Sequence, residues 1–230
     1  MKPAFWARRA HKWIALVVGV QALLWMLSGL YMTAISIDII HGDHLAHAGA
    51  KPLSPVASLI DPNTLAGQYP AMTAFRLKRL LDREVYEVQQ PGAVTLVDAR
   101  SGARASPLDE AAARLLAASL YHGKAPIETV ELIREAPQEV ATRPVPMWRV
   151  SFADSNETTL YLSPHTGELL AKRHDLWRWF DFLWMLHIMD YEERTDSNNM
   201  LLRIASSMGV VFALSGLWLL FYSFSKRRPA

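Results

Sequence analysis

Histidine is the residue type whose number and placement in this sequence point to chemistry. There are eight, at positions 11, 41, 44, 47, 122, 165, 174 and 187, and there is no cysteine. Five of them, His11, His41, His44, His47 and His187, lie beside the ends of long apolar runs. A neutral imidazole is a ligand for haem iron, and two imidazoles on one iron are a frequent means of moving electrons between helices in a bilayer. Without cysteine, disulfides and thiolate-ligated metals are excluded. No Gly-x-Ser-x-Gly, His-Glu-x-x-His, phosphate-binding glycine loop or dinucleotide fingerprint occurs, so hydrolytic and NAD-dependent chemistry has no visible machinery.

Spacing decides which histidines can share an iron. His11 and His44 stand 33 residues apart, about 50 Å along a helix, too far for one metal. His187 belongs at the level of His41 and His44, so one chain can draw an outer site from His187 and one of these two. His11 needs its copy in a second chain, or another protein, to complete an inner site. Each has a plainer reading. His11, beside Arg9 and Lys12, also fits an interfacial anchor. The segment HGDHLAH, residues 41–47, also fits a solvated linker or a Zn²⁺ or Cu²⁺ site, although Gly42 weakens a helix there. His187 sits among Trp177, Trp179, Phe180, Phe182, Trp184 and Met185, which equally describe an interfacial aromatic belt. His122, His165 and His174 read as surface residues.

The elements that must carry these residues are two helices. Residues 13–37 contain no charged side chain in 25 positions, and residues 204–225 none in 22. At ~1.5 Å rise per residue each run crosses a ~30 Å hydrocarbon layer. The first run exceeds the roughly 7–15 residues of a signal-peptide core, so an uncleaved anchor is expected. Lys2, Arg8, Arg9 and Lys12 precede the first span, and Lys226, Arg227 and Arg228 follow the second. Positive flanks stay in the cytoplasm, which places both ends inside and residues 38–203 outside, the periplasm in a bacterium with two membranes. No charge lies inside either span, which argues against an ion-coupled transporter. Ala15, Gly19, Ala22 and Gly29, and then Ser206, Gly209, Ala213 and Gly216, form small-residue faces suited to close helix packing or to a porphyrin. Gln21 and Ser28, seven apart, make a polar stripe able to hydrogen-bond across an interface.

The segment between the spans reads as an α+β domain containing a repeat. One copy runs from Leu53-Ser54-Pro55 to Gly102, the other from Ser106-Pro107-Leu108 to Gly167, with the glycines 65 residues apart. Each opens on an apolar helical stretch, 55–68 and 107–121. Alternating strand patterns follow at 72–80, 84–89 and 93–98, and again at 127–134, 146–152 and 158–163. Pro91-Gly92 and Ser155-Asn156 are turn signals between the last two strands of each set. The expected unit is a helix on a three-stranded antiparallel sheet, twice. Residues 39–172 carry 13 Lys+Arg against 15 Asp+Glu, a balance unlike a nucleic-acid binder.

This arrangement resembles the PepSY domain, and YLSPHTGELLAKR is similar to that family's final strand and turn. HKWIALVVGVQALLWMLSGLYM and DFLWMLHIMDY are similar to helical segments of PepSY-associated transmembrane proteins. The resemblance covers most of the chain. With the spans and the internal repeat, the chain divides into residues 1–38 (basic N-terminus and first span), 39–105 and 106–173 (PepSY-like repeats), 174–199 (interfacial aromatic helix and linker) and 200–230 (second span and basic tail). Larger members of the family have four spans and include inner-membrane ferric-siderophore reductases that carry haem b. For this chain the resemblance tips His187 toward a haem-iron ligand and implies a periplasmic ferric siderophore as acceptor. Placement offers His44 or His41 as its partner and His11 as an inner ligand, and the small-residue faces and the single inner histidine suggest a homodimer. Without a dinucleotide fingerprint, a cytoplasmic flavoprotein would have to be the electron donor. With only two spans, the resemblance also implies an alternative: a membrane-tethered, non-catalytic module that binds a protein or peptide.

Overall fold

Hydrophobic length sets the outer elements. The computed structural model of the chain describes residues 3–49, 52–53 and 58–224, and for 3–11 and 218–224 it describes the backbone only. Helix α1 spans Pro3–Ala34 and helix α6 spans Met200–Phe224. Within them Lys12–Ala34 and Met200–Leu217 are long and apolar enough to cross a bilayer, and almost nothing in either is buried within the chain. The basic residues Lys2, Lys226, Arg227 and Arg228, and the side chains of Arg8 and Arg9, lie outside the described residues. The chain divides into two compact units, residues 37–178 and the pair of segments 1–36 and 179–230.

The residue 37–178 unit is α+β. It opens on a single helical turn, α2 (Ile37–Ile40), and a short helix, α3 (Pro62–Gln68). Proline occupies the first turn of α3, and the Asp61 carboxylate caps it by accepting from the Asn63 amide at 2.7 Å. An antiparallel meander follows: β1 (Ala74–Leu80), β2 (Arg83–Gln90) and β3 (Ala93–Asp98). Gly92, at φ +76°, makes the β2–β3 turn. Helix α4 (Glu110–Leu120) is capped by Asp109, which accepts from the Ala112 amide at 2.8 Å. A second antiparallel meander has four strands: β4 (Ile127–Ile133), β5 (Met147–Phe152), β6 (Thr159–Leu162) and β7 (Leu169–Arg173).

Strand alternation sorts the side chains into cores. Leu80, Val85 and Leu96 of the first sheet join Leu116 and Leu120 of α4 and Trp148, Val150, Leu160 and Leu162 of the second in one buried cluster. The neighbouring positions Tyr86, Val88 and Val97 face the other way and pack with Leu65 of α3. Met147 and Tyr161 likewise turn away from the shared core, toward Val140 and Ala171. Both sheets therefore have apolar side chains on two faces, as the period of two requires. Glu87 is buried in the first sheet. Burial works against its charge, but Lys78 and Arg76 outweigh it and hold the carboxyl below its ordinary value. Arg76 also pairs with Glu168, and Lys78 donates to the Thr166 carbonyl, tying the first sheet to the β6–β7 turn.

All six expected strands are present within two residues of their sequence bounds. Strand β7 was not expected. Leu-Leu-Ala-Lys-Arg does not alternate, and it forms a strand because β6 pairs with it. The second sheet thus has four strands rather than three. In the first, the corresponding position is occupied by a single bridge between Val97 and Arg104. The helix expected over 55–68 is confined to Pro62–Gln68, with residues 54–57 outside the described ones.

Candidate functional site

His187 sits on the last turn of helix α5 (Asp175–Ile188). The helix stops because Met189 adopts φ +56°, which breaks the ladder and orphans the final carbonyls. Side chains satisfy three of them. Gln21 Nε2 donates to the Leu186 carbonyl at 3.5 Å, Trp25 Nε1 to that of His187 at 2.8 Å, and Asn199 Nδ2 to that of Ile188 at 2.8 Å. The turn back to α6 is built on Asp190, whose carboxylate accepts from the amides of Asp196, Thr195, Glu193 and Glu192. These bonds, that of Asp196 foremost, hold its carboxyl below the ordinary value. Arg194 pairs with Asp181, and Trp184 Nε1 donates to the Arg194 carbonyl at 3.2 Å.

The His187 ring lies parallel to that of Trp184, 8° apart. Its Nδ1 is 2.8 Å from Ser28 Oγ, and Ser28 is fully buried. Its Nε2 has no hydrogen-bond partner among the described residues. Gln21, Trp25 and Ser28 are spaced four and three apart on α1, one face of a helix. The sequence exposed Gln21 and Ser28 as a polar stripe. Its target, the end of α5, lies some 160 residues away in the chain and has no local signal.

The other candidate ligands are distributed between the two units. His41 and His44 are exposed in the residue 37–178 unit, as is His47. His11 lies within α1, and its side chain is outside the described residues. No cluster of three or more His, Asp or Glu side chains able to hold a metal ion occurs among the described residues, HGDHLAH included. Gly42, at φ +71°, turns the chain there, which is why the segment is not helical.

His174 is corrected from a surface residue to a core one. It is 1% exposed, and its Nε2 donates to the Ile40 carbonyl at 3.0 Å. A side chain on Gly42 would meet its ring at 3.3 Å, so the glycine permits the close approach. His44 lies edge-on to it, ring centres 5.9 Å apart. Burial holds the His174 imidazolium below its ordinary pKa. His122 and His165 are exposed, as expected.

The small-residue faces are open. A Cβ added at Gly19, Gly29, Gly209 or Gly216 would meet nothing within 4 Å among the described residues. Helices α1 and α6 flank an apolar pocket of about 490 Å³ lined by Leu16, Val20, Gln21, Trp25, Ile204 and Met208, among others.

The family model described as "PepSY-associated TM region" matches residues 8–230. The chain belongs to this family. No curated protein and no solved structure matches it. As a PepSY-associated transmembrane protein it is a membrane protein, and the outward-facing apolar side chains of α1 and α6 have lipid to face. Membership supplies no reaction, so chemistry has to be argued from the side chains.

Proposed function

We propose that this PepSY-associated protein holds haem b and passes electrons across a bacterial inner membrane to a periplasmic acceptor, with a ferric siderophore as the candidate substrate and a cytoplasmic flavoprotein as donor. The observation that carries the reading is the state of His187, hydrogen-bonded at Nδ1 and unpartnered at Nε2 among the described residues. That is the arrangement of a metal-ligating imidazole, one nitrogen oriented by a neighbour and the other available. This donor chemistry fits haem, which would supply one-electron transfer when bound. His187 would hold the iron, and His41 and His44 are the sequence's candidates for a second ligand. His11 would serve an inner site with its copy in a homodimer, and the open faces at Gly19 and Gly216 leave room for a second chain.

The proposal includes topology: both ends cytoplasmic, residues 38–203 outside. Reporters fused at residues 1 and 230 should read cytoplasm and one inserted near Gly102 should read periplasm; cytoplasm at Gly102 overturns it. It also treats the outer domain as two PepSY-like copies. In support, Gly102 and Gly167 have φ +72° and +67°, and each donates to the carbonyl four residues back, Asp98 or Ser163. In both turns the side chain at that earlier position caps the intervening amides.

The deciding experiment is the spectrum of the purified protein expressed with ample haem. Sharp, split α and β bands on reduction are expected for bis-imidazole haem b. His187→Ala should lower haem content, while His122→Ala and His165→Ala should not. A colourless protein overturns the proposal. It would favour a tethered module that holds a partner protein or peptide, for which the support is exposed Leu115 beside a groove with Leu81 and Ser119.

A further inference from the structure

The hydroxyl of Ser28 has one hydrogen and three neighbours. The carbonyls of Leu24 and Trp25 lie at 2.7 and 3.1 Å, and His187 Nδ1 lies at 2.8 Å. The carbonyls can only accept. An oxygen held 2.7 Å from a carbonyl oxygen without a hydrogen between them would be repelled, so the Ser28 hydrogen points to Leu24. The lone pairs of Oγ then face Nδ1, and Nδ1 must carry the proton. In a neutral ring the second nitrogen, Nε2, is left with its lone pair. Ser28 is fully buried, so water does not compete for the contact. The ring has a second constraint in Trp184, parallel to it, and its backbone carbonyl is fixed by Trp25 Nε1.

We infer that Ser28 is a positioning residue that holds His187 with its proton on Nδ1 and presents Nε2 as the nitrogen that ligates iron. The iron part of this rests on the haem reading above; the tautomer does not. A serine in mid-helix usually bonds only its own helix. Here that bond makes Oγ an acceptor for the ring of another helix.

The test uses the full chain in detergent, labelled with ¹⁵N-histidine, free of haem and at a pH where imidazoles are neutral. The His187 signals are assigned by their loss in His187→Gln. The wild type should show the Nδ1–H form alone, Ser28→Ala a mixture of both forms, and Ser28→Thr the wild-type form, since threonine keeps the hydroxyl. Haem is then titrated into each. Ser28→Ala should bind roughly 10–100-fold more weakly, the usual cost of losing a residue that orients a ligand, and Ser28→Thr should recover. An Nε2–H wild type overturns the inference, as does a Ser28→Ala protein with unchanged tautomer. Loss of haem in Ser28→Ala and Ser28→Thr alike would also overturn it, by making the effect one of packing. If haem fails to bind any variant while the tautomer still depends on Ser28, the positioning role stands and the haem reading falls.

Discussion

In the residue 37–178 unit Leu160 and Leu162 are fully hidden, while in the helical unit Val17 and Val211 are about two-thirds exposed, at 63% and 67%. Buried polar side chains occur in both units and are partnered in both: Ser28 on α1 with His187, and Glu87 and His174 in the α+β unit with Lys78 and the Ile40 carbonyl. The difference in apolar exposure reflects the solvent each unit meets. Water drives apolar side chains together. Lipid does not, and in lipid an unsatisfied hydroxyl, amide or carbonyl is the costly thing to expose. In one unit the core is a hydrophobic cluster; in the other the defining contact is a set of hydrogen bonds at the end of α5.

The largest expected effect tests the hydrophobic side of this contrast. Trp148 is buried in the core shared by the two sheets, and its Nε1 donates to the Leu108 carbonyl at 2.9 Å. Trp148→Ala should cost about 3–5 kcal/mol, read as a drop in the denaturant midpoint of the α+β unit. An unchanged midpoint would mean that the shared cluster does not hold this unit together. A smaller effect compares one residue type in both settings. At Gly167, φ is +67° and an added Cβ would lie 2.8 Å from Leu80, so Gly167→Ala should destabilise by more than about 1 kcal/mol. Gly19 has no such neighbour among the described residues, and Gly19→Ala should stay within about 0.5 kcal/mol. Gly19→Leu should instead weaken association of two chains, measured as mass in mild detergent. Equal destabilisation by both alanine changes would erase the distinction between the units.

The smallest effect is a pH dependence. The His174 pKa is lowered from 6.5 in the folded chain, because burial disfavours the charged ring. The unfolded chain therefore takes up its proton first as pH falls. The contribution of neutral His174 is fully present above about pH 6.5. Below that it is lost at up to about 1.4 kcal/mol per pH unit until the folded ring also protonates. His174→Gln should remove this component from the stability profile of the α+β unit. A profile identical to that of the wild type would assign the acid sensitivity elsewhere.

Local pattern made much of this fold legible. Strands β1 to β3 alternate and follow one another through two-residue connections, Leu81-Asp82 and Pro91-Gly92, so their register follows from nearest neighbours. Strand β7 escaped because its pairing comes from β6 and not from its own composition. His174 escaped because its burial depends on a carbonyl 134 residues earlier and on a glycine turn that lets the chain approach. At the candidate site the sequence offered the right residue types, His187 and the Gln21/Ser28 stripe, but did not connect them. Trp25, between the two polar residues and on the same face, was the available signal: a tryptophan N–H in a lipid-facing helix needs an acceptor.

The three bonds that close the end of α5 also carry an order of events. Two of the donors, Gln21 and Trp25, are synthesised about 160 residues before the carbonyls they meet. When α5 emerges, α1 is already available in the bilayer as a row of waiting donors, and the last turn of α5 can be completed on arrival rather than by search. The first helix is then a template for the C-terminal part of the chain as well as an anchor. A chain whose α1 is replaced by an unrelated span should still insert, but the ring of His187 would have nothing to settle against.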